Sequence, residues 1–159
     1  MSRNALKETP QTMTNRDSVK LLCKSIVTRL ENRKSIAFPP RLRQIVQDEV
    51  AHLVGPYILT EQDLRDRSLA KMGAKAETLQ DTQYTESDQY RAAKAVVRGS
   101  FGDDELNGFF FQRPVKEIAK TISQYFMRSS HIDDVYETDD DLEQEIVEIV
   151  KKFDEAELH

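Results

Sequence analysis

The chain of 159 residues has one cysteine, no tryptophan, five glycines and five prolines. A lone Cys23 excludes an internal disulfide framework, and structural zinc normally needs more thiolate and imidazole ligands than one Cys and three scattered His supply. No apolar run approaches the roughly 18 residues that would cross a bilayer. The opening MSRNALKETPQTMTNRD is polar and carries no apolar core of a secretory signal, so the cytoplasm is the expected location, without membrane attachment. With 38% hydrophobic and 32% charged residues the composition is globular.

Charge is abundant and unevenly placed. Residues 1–44 hold ten Lys and Arg against three acids, whereas 133–159 hold twelve acids against two lysines. A basic end and an acidic end either answer each other, within one chain or between copies, or mark a nucleic-acid surface. The first alternative is preferred. The second rests on Lys20, Lys24, Arg29, Arg33, Lys34, Arg41 and Arg43 as candidate contacts with phosphate or with a partner, and it lacks interleaved aromatics for stacking on bases.

Apolar periodicity gives the architecture. Val19, Leu22, Cys23, Ile26, Val27 and Leu30 form one helical stripe, expected to end near Lys34 because Ile36-Ala37-Phe38 runs into Pro39-Pro40. A second helix follows with Leu42, Val46, Val50 and Leu53 on one face, ended by Gly55-Pro56. From Pro114 the pattern recurs. Val115, Ile118, Ala119, Ile122, Tyr125 and Phe126 repeat the first stripe 96 positions on. After a four-residue insertion, Leu142, Ile146, Val150 and Phe153 repeat the second stripe 100 positions on. Two copies are too few for a solenoid. The expectation is an all-α fold in which two related helical hairpins pack as a pseudo-twofold bundle. Residues 1–14 are expected to form a disordered tail, and 15–159 one domain, with halves 15–73 and 109–159 joined by 74–108. Segments 35–38 and 134–137 alternate polar and apolar residues, which predicts a short two-stranded ribbon between the halves.

In the joining segment, Thr60 with Asp63 reads as a capping pair opening a helix at Glu61, with Leu64, Ala70 and Met72 as its weak inner face. Residues 74–84 read as an exposed loop or loosely held helix. Thr85 with Asp88 repeats the capping pattern before Tyr90, Ala93, Val96 and Val97. Gly99, Gly102 and Gly108 suggest a flexible connection ending in Phe109-Phe110-Phe111. Extended chain sends alternate side chains to opposite sides, so the three phenylalanines cannot all face one core. Burial of the triplet in the groove between the halves is the preferred expectation; Phe110 left outside as a partner anchor is the alternative.

Tests for chemistry are negative. A calcium loop starting at Asp134 would have Tyr136 at position 3 and Asp139 in place of the glycine at position 6. Asp139 instead reads as the cap of the last helix, with Asp140 and Asp141 favouring its positive end. His131 beside Asp133 and Asp134 is at most a weak cation site. Cys23 sits in an apolar stripe and aligns with Ala119, as a packing residue would. RGSFG (98–102) has no Lys-Ser/Thr ending and is not a P-loop. No enzyme activity and no cofactor are expected. The expected role is a non-enzymatic interaction or adaptor protein, acting on a protein partner or as a homodimer. Asp140, Asp141 and Glu145 are candidate partner contacts with the acidic last helix; nucleic-acid binding is the alternative.

The helix over 18–34, the connector SIAFPP, the helix LRQIVQDEVAHLV and the stretch TEQDLRDRSLAKM together resemble a bacterial family of uncharacterised helical proteins. This is the domain-of-unknown-function family numbered five hundred and seven. The resemblance covers 18–73 best and restarts at Pro114, so this chain carries an apparent second unit. It implies a bacterial cytoplasmic setting, and brings no activity, cofactor or site residue.

Overall fold

In a computed structural model, residues 15–71, 88–101 and 105–154 are described. The tail expected over 1–14, the loop expected over 74–84, Met72 and the Thr85 cap lie outside the described residues. The elements, in order, are α1 (Asn15–Asn32), β1 (Ile36–Ala37), α2 (Arg43–Val54), β2 (Ile58–Leu59), α3 (Glu61–Lys71), α4 (Asp88–Gly99), β3 (Glu105–Leu106), β4 (Phe109–Phe111), α5 (Val115–Arg128), β5 (Asp134–Val135) and α6 (Asp139–Lys151). Single 3-10 turns at Pro40–Leu42 and Gly55–Tyr57 flank α2.

All six residues of the α1 stripe are buried, as are Val115, Ile118, Ala119, Ile122 and Phe126 on α5. Lys34 ends the first helix in the left-handed region (φ 63°). Its N–H donates to the Glu31 carbonyl at 3.0 Å and that of Ser35 to the Leu30 carbonyl at 3.0 Å, which satisfies the last carbonyls of α1.

The expected bundle and ribbon are both present. α1 packs on α2 and α6, and α5 packs on α6 and α2, so the four helices close a ring around one core. The connectors meet as an antiparallel pair, with Ile36 opposite Val135 and Ala37 opposite Asp134. Flanking amides extend it: Asp133 N–H donates to the Ala37 carbonyl and Tyr136 N–H to the Ser35 carbonyl, both at 2.8 Å.

Several expectations are corrected. Leu53 is 38% exposed, and Val54 is buried in its stead. Ala70 and Val96 face out, while Leu69 and Ser68 join Leu64 inside. Thr138, not Asp139, caps α6: its hydroxyl accepts from the Asp141 N–H at 3.1 Å, and Asp139 is the first helical residue. The Thr60–Asp63 cap is present and reciprocal, with Thr60 N–H donating to Asp63 at 2.9 Å and Asp63 N–H to the Thr60 hydroxyl at 3.4 Å.

The largest correction is a second sheet, in the order β2-β4-β3 and antiparallel throughout. β3 and β4 are joined by two residues, Asn107 (φ 53°) and Gly108 (φ 83°). Two consecutive left-handed residues make the turn whose twist suits a tight hairpin, and Asn-Gly is its favoured sequence. The Asn107 amide donates to the carbonyls of Val150 and Lys151, closing the end of α6.

Phe110 is therefore not an exposed anchor. It lies in the central strand, where both faces are covered and all three phenylalanines bury. Phe109 and Phe111 enter the main core. Phe110 points the other way, into a second cluster with Leu59, Leu64 and Phe101. Its ring centroid lies 5.5 Å from that of Phe101, under the Arg98 guanidinium, which also pairs with Glu105. Phe110→Ala is expected to lower stability by about 3–5 kcal/mol, read as a fall in the urea midpoint. A change below about 1 kcal/mol, the range of exposed sites, would contradict the burial.

Candidate functional site

Two side-chain ties run from the connectors to the far helices. Ser35, buried beside β1, donates its hydroxyl to Glu145 Oε1 of α6 at 2.6 Å. His131, between α5 and β5, places Nδ1 3.0 Å from Glu49 Oε1 of α2. The same Glu49 oxygen accepts the Tyr125 hydroxyl. The His131 backbone N–H donates to the Ser129 hydroxyl at 3.1 Å. Ser129 also bonds with Tyr125. Ser129, Tyr125, Glu49 and His131 thus form a closed polar ring that fastens the second connector to α2.

This ring floors an open cleft of about 510 Å³ between α2 and α5, rimmed by Leu53, Thr121, Gln124, Arg128 and Ser130. The Tyr125 hydrogen bond, opposed by partial burial and reinforced by His131, holds the Glu49 carboxyl below its ordinary range. Burial, and then the bond to Glu49, push Tyr125 up to about 12. Sequence reading missed this site because its members are 76 and 82 positions apart. The available signal was Glu49 on the outer stripe of an otherwise ordinary helix. His131 finds Glu49 rather than Asp133 or Asp134, and no group of three metal-binding side chains occurs among the described residues.

The basic residues expected to form one band do not share one face. At 3.6 residues per turn, Lys20 and Lys24 lie on one flank of the buried α1 stripe and Arg29 and Arg33 on the other. Arg43 pairs with Glu31 through two bonds of 2.9 and 2.7 Å, Arg29 donates to Ser25 at 3.2 Å, and Arg33 lies 3.8 Å from Glu148 of α6. Lys20, Lys24, Lys34 and Arg41 are exposed and form no ion pair with a described residue. On α6, Asp140 and Asp141 are likewise exposed and unpaired among the described residues. Glu145 is half-buried and engaged by Ser35, so it belongs to the fold rather than to a free acidic face.

No helix among the described residues is long and apolar enough to cross a membrane. No family model matches the chain, and neither the curated proteins nor the solved structures give a match. The functional reading therefore rests on the chain's own residues.

Glu49→Gln and Tyr125→Phe are each expected to lower stability at neutral pH by about 1 kcal/mol. That is the low end for a bond to a charged group, because both Glu49 and His131 remain well over a quarter in water. Their effects are expected to be non-additive in the double variant. A carboxyl held low when folded adds stability above its unfolded value, about 4.3. That stability is lost as pH falls through the lower folded value. The wild-type advantage over Glu49→Gln should thus vanish in acid. Urea midpoints across an acid pH series check this; an advantage that does not decline as pH falls would contradict it.

Proposed function

We propose that the chain is a non-enzymatic interaction protein that associates with a protein partner, or with a second copy of itself, through charge-complementary surfaces. One observation carries the reading. Asp140 and Asp141 on α6, and Lys20 and Lys24 on α1, project from different helices and are not neutralised by the described residues around them. Unpaired rim charges of this kind tune encounter rate and partner choice more than they stabilise a fold. A cytoplasmic setting, and membership of the family that the first unit resembles, belong to the same proposal and add no activity to it.

The alternative, binding to nucleic acid, draws on the same lysines. It is weakened by the division of the basic residues between two flanks of α1 and by the carboxylate partners of Arg33 and Arg43. Phosphate tracking is served best by a continuous stripe.

The double variant Asp140→Lys/Asp141→Lys separates the readings. Association, followed by light scattering of the pure chain and by recovery of partners from nuclease-treated lysate, is expected to weaken about tenfold at low salt and less at high salt. Unchanged mass together with unchanged partner recovery overturns the proposal. Retained anisotropy on duplex or single-stranded probes, abolished by Lys20→Glu/Lys24→Glu, would favour nucleic acid instead.

A further inference from the structure

We propose that Asn107 is a site of spontaneous, backbone-assisted deamidation, and that its conversion to aspartate or isoaspartate releases the β3–β4 hairpin from the C-terminal end of α6. The inference does not draw on the interaction reading and stands or falls separately from it.

The reaction needs an asparagine whose side-chain carbonyl carbon is attacked by the next residue's backbone nitrogen, and a next residue that leaves the approach open. Of Asn4, Asn15, Asn32 and Asn107, only Asn107 is followed by glycine. Asn107 and Gly108 form the exposed two-residue turn between β3 and β4. The Gly108 N–H bonds to no described residue, and a Cβ built on Gly108 would meet nothing within 4 Å. Neither a hydrogen bond nor crowding protects the attacking nitrogen.

Water is the only co-reactant. Solvent base removes the Gly108 amide proton, and the nitrogen attacks Cγ of Asn107. The N–Cγ bond forms as the bond from Cγ to Nδ2 breaks, and ammonia leaves with a proton taken from solvent. Water then opens the resulting cyclic imide. Opening at Cγ gives aspartate. Opening at the main-chain carbonyl gives isoaspartate, with one extra carbon in the backbone.

The consequence follows from what the Asn107 amide holds. Its Nδ2 donates to the carbonyls of Val150 and Lys151, the latter at 2.7 Å. These are among the last acceptors of α6, at the negative end of its dipole. In either product a carboxylate, which has no hydrogen to donate, replaces that amide beside the two carbonyl oxygens. Repulsion takes the place of two bonds. Isoaspartate also lengthens the short turn that sets Leu106 opposite Phe109. The stacking of Phe109 on Phe153, with ring centroids 5.7 Å apart, and the pairing of β4 with β2 are untouched. The change is therefore local: the end of α6 is loosened while the ring of helices stays closed. The same two bonds keep the Asn107 side chain from turning toward Gly108, so ring closure requires the hairpin to leave α6 first.

The test incubates the full chain in mildly alkaline buffer beside a synthetic peptide of residues 105–111, with digestion and mass mapping at intervals. Conversion of amide to acid is expected at Asn107 before any other asparagine, about tenfold slower in the folded chain than in the peptide. Asn107→Asp reproduces one product and keeps a favoured turn sequence, since Asp-Gly serves the same turn. The Phe153 N–H donates to Val150 at 3.3 Å. In Asn107→Asp its hydrogen exchange should quicken by a larger factor than that of Ile122, which reports the global fold. Wild-type chain aged in the buffer should move the same way, and Asn107→Gln, which cannot close the same ring, should not. An Asn107 still intact after about a hundred peptide half-lives would overturn the proposal. So would an Asn107→Asp protein whose Phe153 amide exchanges as in the wild type.

Discussion

Antiparallel pairing of Ile36-Ala37 with Asp134-Val135 is the constraint on which the helical ring depends. A ribbon of two residues per strand is marginal in water by itself. Here it is held from both sides. Ile36 is buried in the main core, Ser35 donates across to α6, and His131 reaches across to α2. Each connector thus fixes the helix that the other connector introduces. The two helix–strand–helix units become one body with a shared core, which neither hairpin could form alone, since an amphipathic pair leaves one stripe uncovered.

The segment between the units is built on a different plan. β4 separates two apolar clusters: Phe109 and Phe111 belong to the bundle, and Phe110 to the smaller group beneath α3 and α4. The alternation of a strand lets three consecutive aromatics serve both cores without exposing any. Arg98 covers the outer side of Phe110 and is fixed by Glu105 on the neighbouring strand, while Asn107 ties the hairpin to the end of α6. The middle of the chain is thereby fastened to the bundle at its C-terminal helix as well as through β2.

What was legible in the sequence follows from where the information is local. Helical stripes on α1, α5 and α6, the Thr60 cap and the ribbon could be read because each depends on spacing within a few residues or on matching alternation in two connectors. Leu53 was misplaced because the end of a stripe is decided by what packs beyond it. In this chain Val54 turns inward as α2 passes into a 3-10 turn. The three-stranded sheet was missed although Asn107-Gly108 is a strong hairpin signal, because glycines among acids read equally well as a flexible connection. Glu49, Tyr125 and His131 carry no local signature, so only the packing of α2 against α5 brings them together. The basic residues can be picked out of the sequence one by one. Their division between two flanks follows from the helical period, whereas the pairings with Glu31 and Glu148 needed the tertiary structure.

Function is argued from a surface feature that folding does not use up, the Lys20, Lys24, Asp140 and Asp141 charges that form no ion pair with a described residue. Their placement presupposes that the two units are locked together by their connectors. Native-state hydrogen exchange of the Asp133 and Tyr136 amides tests that lock directly, since these N–H groups donate to Ala37 and Ser35 across the ribbon. Exchange as slow as that of core amides such as Ile122, limited by global unfolding, is the result the account predicts. Exchange at the rate of an unprotected loop, with the helices still protected, would show that the ribbon is not what joins them.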